Sequence, residues 1–353
     1  MLSVNNYNVL PWIEKYRPAN FDNIISHENI ISILNKYKKN SALPHLLFYG
    51  PPGTGKTSVI LAYAKALYGK NSPYMVMELN ASDERGIEVV RSRIKQFVAS
   101  DNTLYSYKIE DEKKKNFFKL VILDETDAMT DDAQKILRSI VEKYTNNARF
   151  CLICNYIKKI NPALQSRCTA FRFSPINNLD MKKKIKVILK KENVKSTSKG
   201  IDLVIDNANG DMRKALNIIQ SVSMSYNKIN IKSVSSSLGC MKSEEIENIF
   251  NSLVYDNFNN SYNCITKLIY NNSISLMDII TPIYKIIYDM IYYKKPFNNI
   301  LFSTSLSSKL ICDLSMIEFN SFTSIYDNVQ ILSLIELFNK FKTEINNDIK
   351  LLK

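Results

Sequence analysis

Glycine and proline are scarce in this sequence, which has only 8 Gly and 10 Pro among 353 residues. Their scarcity excludes collagen-like chains and Pro/Gly-rich low-complexity chains. Hydrophobic residues make up 45% of the chain and charged residues 23%, which disfavours disorder and supplies the apolar side chains for a substantial core. At about 100–200 residues per domain, the length predicts two or three domains.

The chain also lacks a long uninterrupted hydrophobic run. Its most apolar long stretch, residues 276–293, is interrupted by Asp278, Pro282, Lys285 and Asp289, which argues against a membrane span. The first residues lack the basic stretch, apolar core and small-residue cleavage site of a signal peptide. We therefore expect a soluble intracellular protein with no membrane partner.

The six cysteines form no disulfide framework. Cys151 and Cys154 have a zinc-like spacing, but no second Cys or His pair follows at the distance of a zinc ribbon or finger. Both lie in an apolar run that predicts a buried strand. We interpret them as small core residues in a reducing compartment rather than as metal ligands.

Acidic residues are fewer than basic ones, 34 against 47, so the net charge is +13. An excess of this size favours polyanionic partners such as nucleic acid. The chain is also rich in Lys, Asn, Ile and Tyr together, which an AT-biased genome would produce without selection for DNA binding. Both interpretations of the charge stay open.

Short apolar runs alternate with helical patterns as far as residue 173. The runs that predict strands are residues 45–49, 75–79, 120–123 and 149–154. This alternation predicts an α/β domain with a parallel sheet and helices on both faces. The mixed-charge stretch from Ser100 to Asn116 has no periodicity and is predicted to be an exposed loop.

After Pro175 the sequence predicts helices and no further strands. Helices are predicted over residues 179–192 and 211–224, and the lysine run at 182–186 is interpreted as a solvated helix face. A third helical region extends from Ser243 to the end. Within it, one apolar stripe predicts a helix that faces a core or a subunit interface: Ile279, Ile283, Ile286, Ile287 and Met290.

The segment GPPGTGKT fits the phosphate-loop pattern G-x-x-x-x-G-K-[ST] between a predicted strand and a predicted helix. Its glycines let backbone N–H groups turn toward phosphates, and the helix N-terminus adds a favourable dipole. Lys56 is placed to contact the β- and γ-phosphates, and the Thr57 hydroxyl to bind Mg²⁺. The candidate nucleotide-binding residues here are Gly50, Pro51, Pro52, Gly53, Thr54, Gly55, Lys56, Thr57 and Ser58.

Four polar residues follow predicted strands or open a helix. Asp124 ends an apolar strand, where it can hold Mg²⁺, and the adjacent Glu125 can polarise an attacking water. Asn155 follows the next strand and Arg213 opens a helix, so both are candidate sensors of the γ-phosphate. An Asp-Glu pair favours hydrolysis over transfer of the phosphoryl group to another substrate.

With these motifs in this order, the chain resembles the small subunits of replication factor C, the clamp loader, which are AAA+ ATPases. Three segments favour the subunit numbered 3 or 5 over its siblings: residues 11–12, 25–27 and 162–168. The resemblance is dense over residues 11–224, and Thr126 departs from it, since the family more often has Ala there. Besides the motifs above, the resemblance rests on WIEKYRP at 12–18, NASDERG at 80–86, SRC at 166–168 and GDMR at 210–213.

The resemblance implies a P-loop ATPase domain at 1–173, a helical lid at 174–238 and an all-helical oligomerisation (collar) domain at 239–353. It implies that Ile13, Arg17 and Ile25 cover the adenine of ATP, and that Asn155 and Arg213 are sensors 1 and 2. Arg167 resembles the arginine finger that completes a neighbouring subunit's site. Arg85 and Arg91 resemble residues that contact DNA phosphates.

The implied function is that of an ATP-hydrolysing subunit of a heteropentamer, using ATP and Mg²⁺. Its expected partners are four other subunits (one large, three small), the sliding clamp, which it opens, and primer–template DNA, in nuclear replication and repair. Two alternatives remain open: a homohexameric AAA+ motor, such as a branch-migration helicase or an unfoldase, and a scaffold subunit that does not hydrolyse ATP.

Overall fold

The computed structural model describes residues 10–40, 42–81, 87–99, 118–239, 241, 243–272, 274–298, 300–323 and 327–345. The chain divides into two compact units, Met1–Ile231 and Lys232–Lys353. The predicted loop Ser100–Asn116 lies outside the described residues. The finer division into ATPase, lid and collar domains stays a prediction.

The first unit contains a five-stranded sheet in which every neighbouring pair is parallel. The sheet order is β2-β3-β4-β1-β5, so β1 and β4 are central. The four predicted strands and the α/β class are confirmed, and β5 is an additional strand. The strands are β1 (Leu46–Tyr49), β2 (Val76–Asn80), β3 (Lys119–Asp124), β4 (Ala148–Cys154) and β5 (Thr169–Arg172).

Helices and short 3-10 turns connect and follow these strands. The 3-10 turns are Phe21–Asn23, Gly69–Asn71, Thr126–Ala128 and Ile157–Lys159. The helices are α1 (Trp12–Lys15), α2 (Glu28–Asn40), α3 (Lys56–Tyr68), α4 (Ser72–Met75), α5 (Ile87–Ala99), α6 (Asp131–Lys143), α7 (Pro162–Gln165), α8 (Asn178–Lys191), α9 (Ser198–Ala208), α10 (Met212–Ser225) and α11 (Ile231–Leu238).

Both faces of the sheet are buried, because side chains alternate along each strand. Leu120 and Ile122 of β3 join the core that contains Tyr63 of α3. Val121 and Leu123, the intervening residues of the same strand, join a second core with helices α5 and α6. Two-sided burial explains why these strands are continuous apolar runs in the sequence.

The prediction that no strands follow Pro175 is wrong. Two additional short strands, β6 (Lys195–Ser196) and β7 (Lys228–Ile229), pair in parallel beyond that point. Each has only two residues, and both residues of β6 are exposed. A strand of two residues is too short to show hydrophobic periodicity, so sequence pattern could not predict either strand.

The second unit is helical over its described residues, apart from an isolated bridge between Phe297 and Ile300. The predicted stripe lies on α14, with Ile279, Ile283, Ile287 and Met290 buried. Ser275 and Asp278 form a capping box at its start. None of the described helices is both long and apolar enough to cross a membrane. The helices are α12 (Ser243–Tyr255), α13 (Phe258–Asn272), α14 (Leu276–Tyr292), α15 (Thr304–Thr323) and α16 (Asp327–Lys340).

Candidate nucleotide-binding site

A cleft of about 1160 Å³, measured out to its open mouth, lies at the carboxyl ends of the strands in the first unit. Parallel strands place their carboxyl ends at one edge, so the residues that follow β1, β3 and β4 meet there. The cleft is lined there by residues 52–58, Asp124, Glu125 and Asn155. Most of the polar residues singled out in the sequence therefore lie in one place.

The loop between β1 and α3 has a backbone that requires glycine. Gly50, Gly53 and Gly55 have φ values of +143°, +67° and +94°. A Cβ on Gly50 would overlap the carbonyl oxygen of Phe173. The Thr54 hydroxyl donates to the Pro51 carbonyl oxygen at 2.9 Å. Because α3 begins directly after this loop, its N-terminal N–H groups face the cleft and favour an anion.

Lys56 lies in the cleft with only 7% of its surface exposed. Its Nζ donates to the carbonyl oxygens of Gly50 at 2.8 Å and Pro51 at 2.9 Å, and to Asn155 Oδ1 at 3.0 Å. Burial lowers the pKa of Lys56, while the negative charge of Asp124 opposes that shift. The three acceptors thus hold the Lys56 amine beside the phosphate loop.

Two hard oxygen donors meet where α3 begins and β3 ends. The Thr57 hydroxyl donates to Asp124 Oδ2 at 2.7 Å. A hydroxyl and a carboxylate at this separation are ligands that Mg²⁺ prefers. Glu125, which follows, is exposed, and its N–H donates to Asp124 Oδ1 at 2.9 Å.

The turn after β3 also contacts the end of β4, which sequence reasoning missed. Asp127 Oδ2 accepts the backbone N–H groups of Asn155 and Tyr156, each at 3.1 Å. The Thr126 hydroxyl donates to the Ile153 carbonyl oxygen at 2.9 Å. No sequence signal could find these contacts, because their acceptors and donors on β4 are backbone atoms.

The far side of the cleft is largely apolar. Three candidate adenine contacts line this side: Ile13, Arg17 and Ile25. Other residues line this side without a signal in the sequence, and they include Tyr16, Ile24, Ile176, Lys184, Ile188 and Leu216. An apolar wall of this kind suits a flat aromatic base.

Lys184 corrects the interpretation of the lysine run as a solvated helix face. Its side chain is half-buried and donates to the Asn23 carbonyl oxygen at 3.1 Å. Burial and the nearby charge of Lys191 lower the pKa of Lys184. This lysine of the run therefore turns toward the cleft, while Lys183 and Lys186 are exposed.

The segment that carries Ile13 and Arg17 is tied to helices α8 and α10. Glu192 accepts from the Tyr16 hydroxyl and pairs with Lys15 Nζ at 2.7 Å. The Trp12 N–H donates to Gln220 Oε1 at 2.9 Å. Burial, assisted by Glu192, raises the pKa of Tyr16, so the tyrosine stays a neutral donor.

Arg213 lines the cleft from the first turn of α10. Asp211 caps that helix by accepting from the Lys214 N–H at 3.0 Å. The N–H of Met212, the first residue of α10, donates to the Gly53 carbonyl oxygen at 3.2 Å. The start of α10 is therefore hydrogen-bonded directly to the phosphate loop.

Gly50 and Pro51, whose carbonyl oxygens accept from Lys56, do not line the cleft, and three further predicted residues are not placed in it. Arg167 is exposed and lies outside it, with Nη2 2.5 Å from Glu142 Oε1 and Nη1 2.6 Å from the Ala163 carbonyl oxygen. Arg85 lies outside the described residues, and only the helical backbone of Arg91 is described.

Two family models match the chain. ATPase family associated with various cellular activities (AAA) matches residues 46–176, and Replication factor C C-terminal domain matches residues 241–336. The chain is 44% identical to the probable replication factor C subunit 5 of Dictyostelium discoideum, over 94% of this chain and 91% of that one. It is 42% identical to human replication factor C subunit 5, over 93% and 91%.

Subunit 3 of Schizosaccharomyces pombe replication factor C is 43% identical over 80% of each chain. Among solved structures, a point mutant of Thermotoga maritima RuvB has a TM-score of 0.51, with 16% identity over 71% of this chain and 85% of that one. At that identity the likeness to RuvB concerns the fold alone.

Proposed function

Because the chain belongs to the family of replication factor C subunits, we propose that it binds and hydrolyses ATP as a subunit of the clamp loader. The observation that carries this proposal is the convergence of a buried lysine, a Thr–Asp oxygen pair and an exposed glutamate at the end of the sheet. That arrangement suits phosphoryl chemistry, which depends on positioning and charge.

In this proposal the nucleotide phosphates occupy the loop from Gly50 to Ser58, and the base lies on the apolar wall near Ile13, Arg17 and Ile25. Thr57 and Asp124 would hold Mg²⁺, which when bound supplies positive charge next to the phosphates. Lys56 adds a second positive charge on the loop side of the cleft.

Hydrolysis is assigned to Glu125, which polarises the attacking water, with Asn155 orienting that water and Arg213 contacting the γ-phosphate. Lys56 and Asn155 are already hydrogen-bonded at 3.0 Å, which supports a shared role. Arg167 lies outside this cleft, so its proposed partner is the γ-phosphate bound by a neighbouring subunit.

We further propose a heteropentamer with one large and three other small subunits, acting in the nucleus in replication and repair. ATP would favour the assembly state that opens the sliding clamp and accepts primer–template DNA, since a ligand shifts an equilibrium only by binding its states differently. The net charge of +13 supports a DNA partner, with Arg85 and Arg91 as proposed phosphate contacts.

The activity is tested with the Glu125→Gln variant in the assembled complex. We expect ATP turnover at this site to fall at least about 100-fold with ATP binding retained, because the amide cannot act as a base. Glu244→Gln, an exposed glutamate of the second unit, is the matched control. Unchanged turnover with Glu125→Gln would instead support a scaffold subunit that does not hydrolyse ATP.

The assembly is tested by native mass spectrometry of the tagged chain purified from its own cells with ATP and Mg²⁺. One copy of this chain together with four different partners is the expected result. Six identical copies would overturn the clamp-loader proposal in favour of a hexameric motor.

A further inference from the structure

The turn that follows β3 holds Glu125 in an unusual backbone conformation. Glu125 has φ +54°, in the left-handed region that side-chain-bearing residues rarely adopt. The Ala128 N–H closes the turn by donating to the Glu125 carbonyl oxygen at 2.9 Å. A conformation of this kind persists only where surrounding contacts determine it.

Thr126 provides one such contact. Its side chain is 1% exposed, and its hydroxyl donates to the Ile153 carbonyl oxygen at 2.9 Å. The backbone register between β3 and β4 ends at Leu123 and Leu152, so this side-chain bond extends the pairing past the end of the ladder.

Asp127 provides the second contact. Its Oδ2 accepts the N–H groups of Asn155 and Tyr156 at 3.1 Å each, just past the end of β4. These bonds fix the backbone of Asn155, whose own Oδ1 accepts from Lys56 Nζ at 3.0 Å. The orientation of Asn155 thus depends on hydrogen bonds at both its backbone and its side chain.

We propose that Thr126 and Asp127 are positioning residues that join the turn after β3 to the end of β4, and so hold Glu125 and Asn155 in fixed relation to Lys56. This inference rests on the proposed ATPase function, because it concerns the same cleft. Neither residue lines the cleft, so they act through Glu125 and Asn155 rather than on the nucleotide. We call this pair of contacts the β3–β4 brace.

Asp127 could also act through its charge, since its carboxylate favours the cationic form of Lys56. The two roles can be separated by substitution. In Asp127→Asn one side-chain oxygen remains and can accept both N–H groups, while the charge is lost. In Asp127→Ala both the charge and the acceptor are lost.

The test measures ATP affinity and ATP turnover at this chain's own site in the assembled complex, where turnover at the site is the part that exceeds the turnover of the Glu125→Gln complex. For Asp127→Ala we expect kcat at this site to fall about 10- to 100-fold with affinity for ATP kept within about threefold, because misplacing a catalytic group affects the transition state most. Asp127→Asn should retain at least about a third of the wild-type kcat, and Thr126→Val should lower kcat about threefold or more. Asp132→Ala, which removes an exposed carboxylate paired with Lys135 on α6, is the matched control.

A double-mutant cycle gives the second readout. If Asp127 acts by orienting Asn155, then adding Asp127→Ala to Asn155→Ala should slow turnover no more than about threefold further. The proposed role of the β3–β4 brace would be overturned if the losses of turnover in the two single variants were fully additive. It would also be overturned if Asp127→Asn were as slow as Asp127→Ala. If wild-type and Glu125→Gln complexes hydrolyse ATP equally, it is the proposed function that fails, whatever Asp127 does.

Discussion

Lys56 shows how a single side chain is prepared for an anion. Its ammonium group donates three hydrogen bonds to oxygens of the phosphate loop and of Asn155. Three acceptors satisfy all three of its N–H donors, which offsets the cost of burying a charge. The Lys56 amine is therefore held beside the phosphate loop before any nucleotide arrives, and a phosphate oxygen that accepts from it would replace one of these three acceptors.

Lys56→Ala should lower the affinity for ATP by at least about 30-fold, because truncating one partner of a desolvated charge pair costs about 2 kcal/mol or more. Equilibrium titration of the full chain with ATP and Mg²⁺ measures this. Lys65→Ala, an exposed lysine on the last turn of the same helix, should leave the affinity unchanged. Equal affinities of the wild type and Lys56→Ala would show that Lys56 does not contribute to ATP binding.

His45 gives a prediction about pH. Its ring is buried, Nδ1 accepts the Phe150 N–H at 3.2 Å, and burial together with the charge of Arg149 lowers the pKa of His45 to about 4. The unfolded chain therefore binds a proton on this ring near pH 6.5, and the folded chain only near pH 4. The stabilisation from a neutral His45 is complete above pH 6.5 and is lost as the pH falls toward 4.

We expect acidification from pH 7 to 4.5 to cost the first unit about 2 kcal/mol through His45, after allowing for solvent screening. The His45→Asn variant can keep an acceptor for the Phe150 N–H but cannot titrate in this range. Denaturant unfolding at several pH values measures the free energy of unfolding of both proteins. The difference between them should shrink as the pH falls, and a constant difference would contradict the prediction.

At the scale of helices and strands, an element could be predicted from the sequence only where its packing leaves a hydrophobic pattern in its residues. The strands β1, β3 and β4 are apolar runs because both faces of the sheet are covered there, so composition located them, whereas β2 has only Leu79 buried. Strand β5 was missed because its residues alternate between partly buried and exposed positions, with only Phe171 buried. The polar residues at strand ends could be found by motif and spacing.

Contacts between distant elements could not be found in this way. The lysine run in α8 gives no indication that Lys184 turns inward, because that depends on where Asn23 lies. The roles of Thr126 and Asp127 depend on backbone groups of β4, and every residue has such groups. Sequence therefore predicts which elements meet at the cleft better than it predicts what holds them together.

The contact between the phosphate loop and α10 gives a prediction at this scale. A Cβ on Gly53 would overlap the Asp211 carboxylate, whereas nothing lies within 4 Å of a Cβ on Gly55. Both glycines have positive φ, so Ala strains the backbone at either position, but only Gly53→Ala also displaces the Asp211 side chain that caps α10.

Gly53→Ala should therefore lower the free energy of unfolding by about 1–2 kcal/mol more than Gly55→Ala does. Adding Asp211→Ser shortens the side chain but keeps an N-cap oxygen, so it should restore stability to Gly53→Ala and not to Gly55→Ala. Denaturant unfolding of the four variants is the measurement. Equal losses for the two glycine variants would mean that the contact with α10 contributes nothing.

At the scale of the whole molecule, Arg167 lies outside the cleft of its own chain. Its proposed role is therefore in hydrolysis at a neighbouring site and not in nucleotide binding by its own chain. Its guanidinium contacts Glu142 and the Ala163 carbonyl oxygen of its own chain and does not reach the cleft. Under the proposed function, the chain binds ATP alone, and a neighbouring subunit's arginine supplies the positive charge for the transition state. This arrangement would couple turnover to assembly.

Arg167→Ala should therefore leave the ATP affinity of the chain itself unchanged. In the assembled complex the same variant should slow hydrolysis at the adjoining site by about 10³-fold or more, the effect of removing an arginine finger. Total turnover would then fall only by the share of that one site, because the other interfaces keep their arginines. Arg138→Ala, which removes the other partner of Glu142, controls for loss of the surface ion pair and should change neither quantity. If Arg167→Ala weakened ATP binding by the chain on its own, the arginine would act within its own subunit, and the proposed dependence of hydrolysis on a neighbour would be lost.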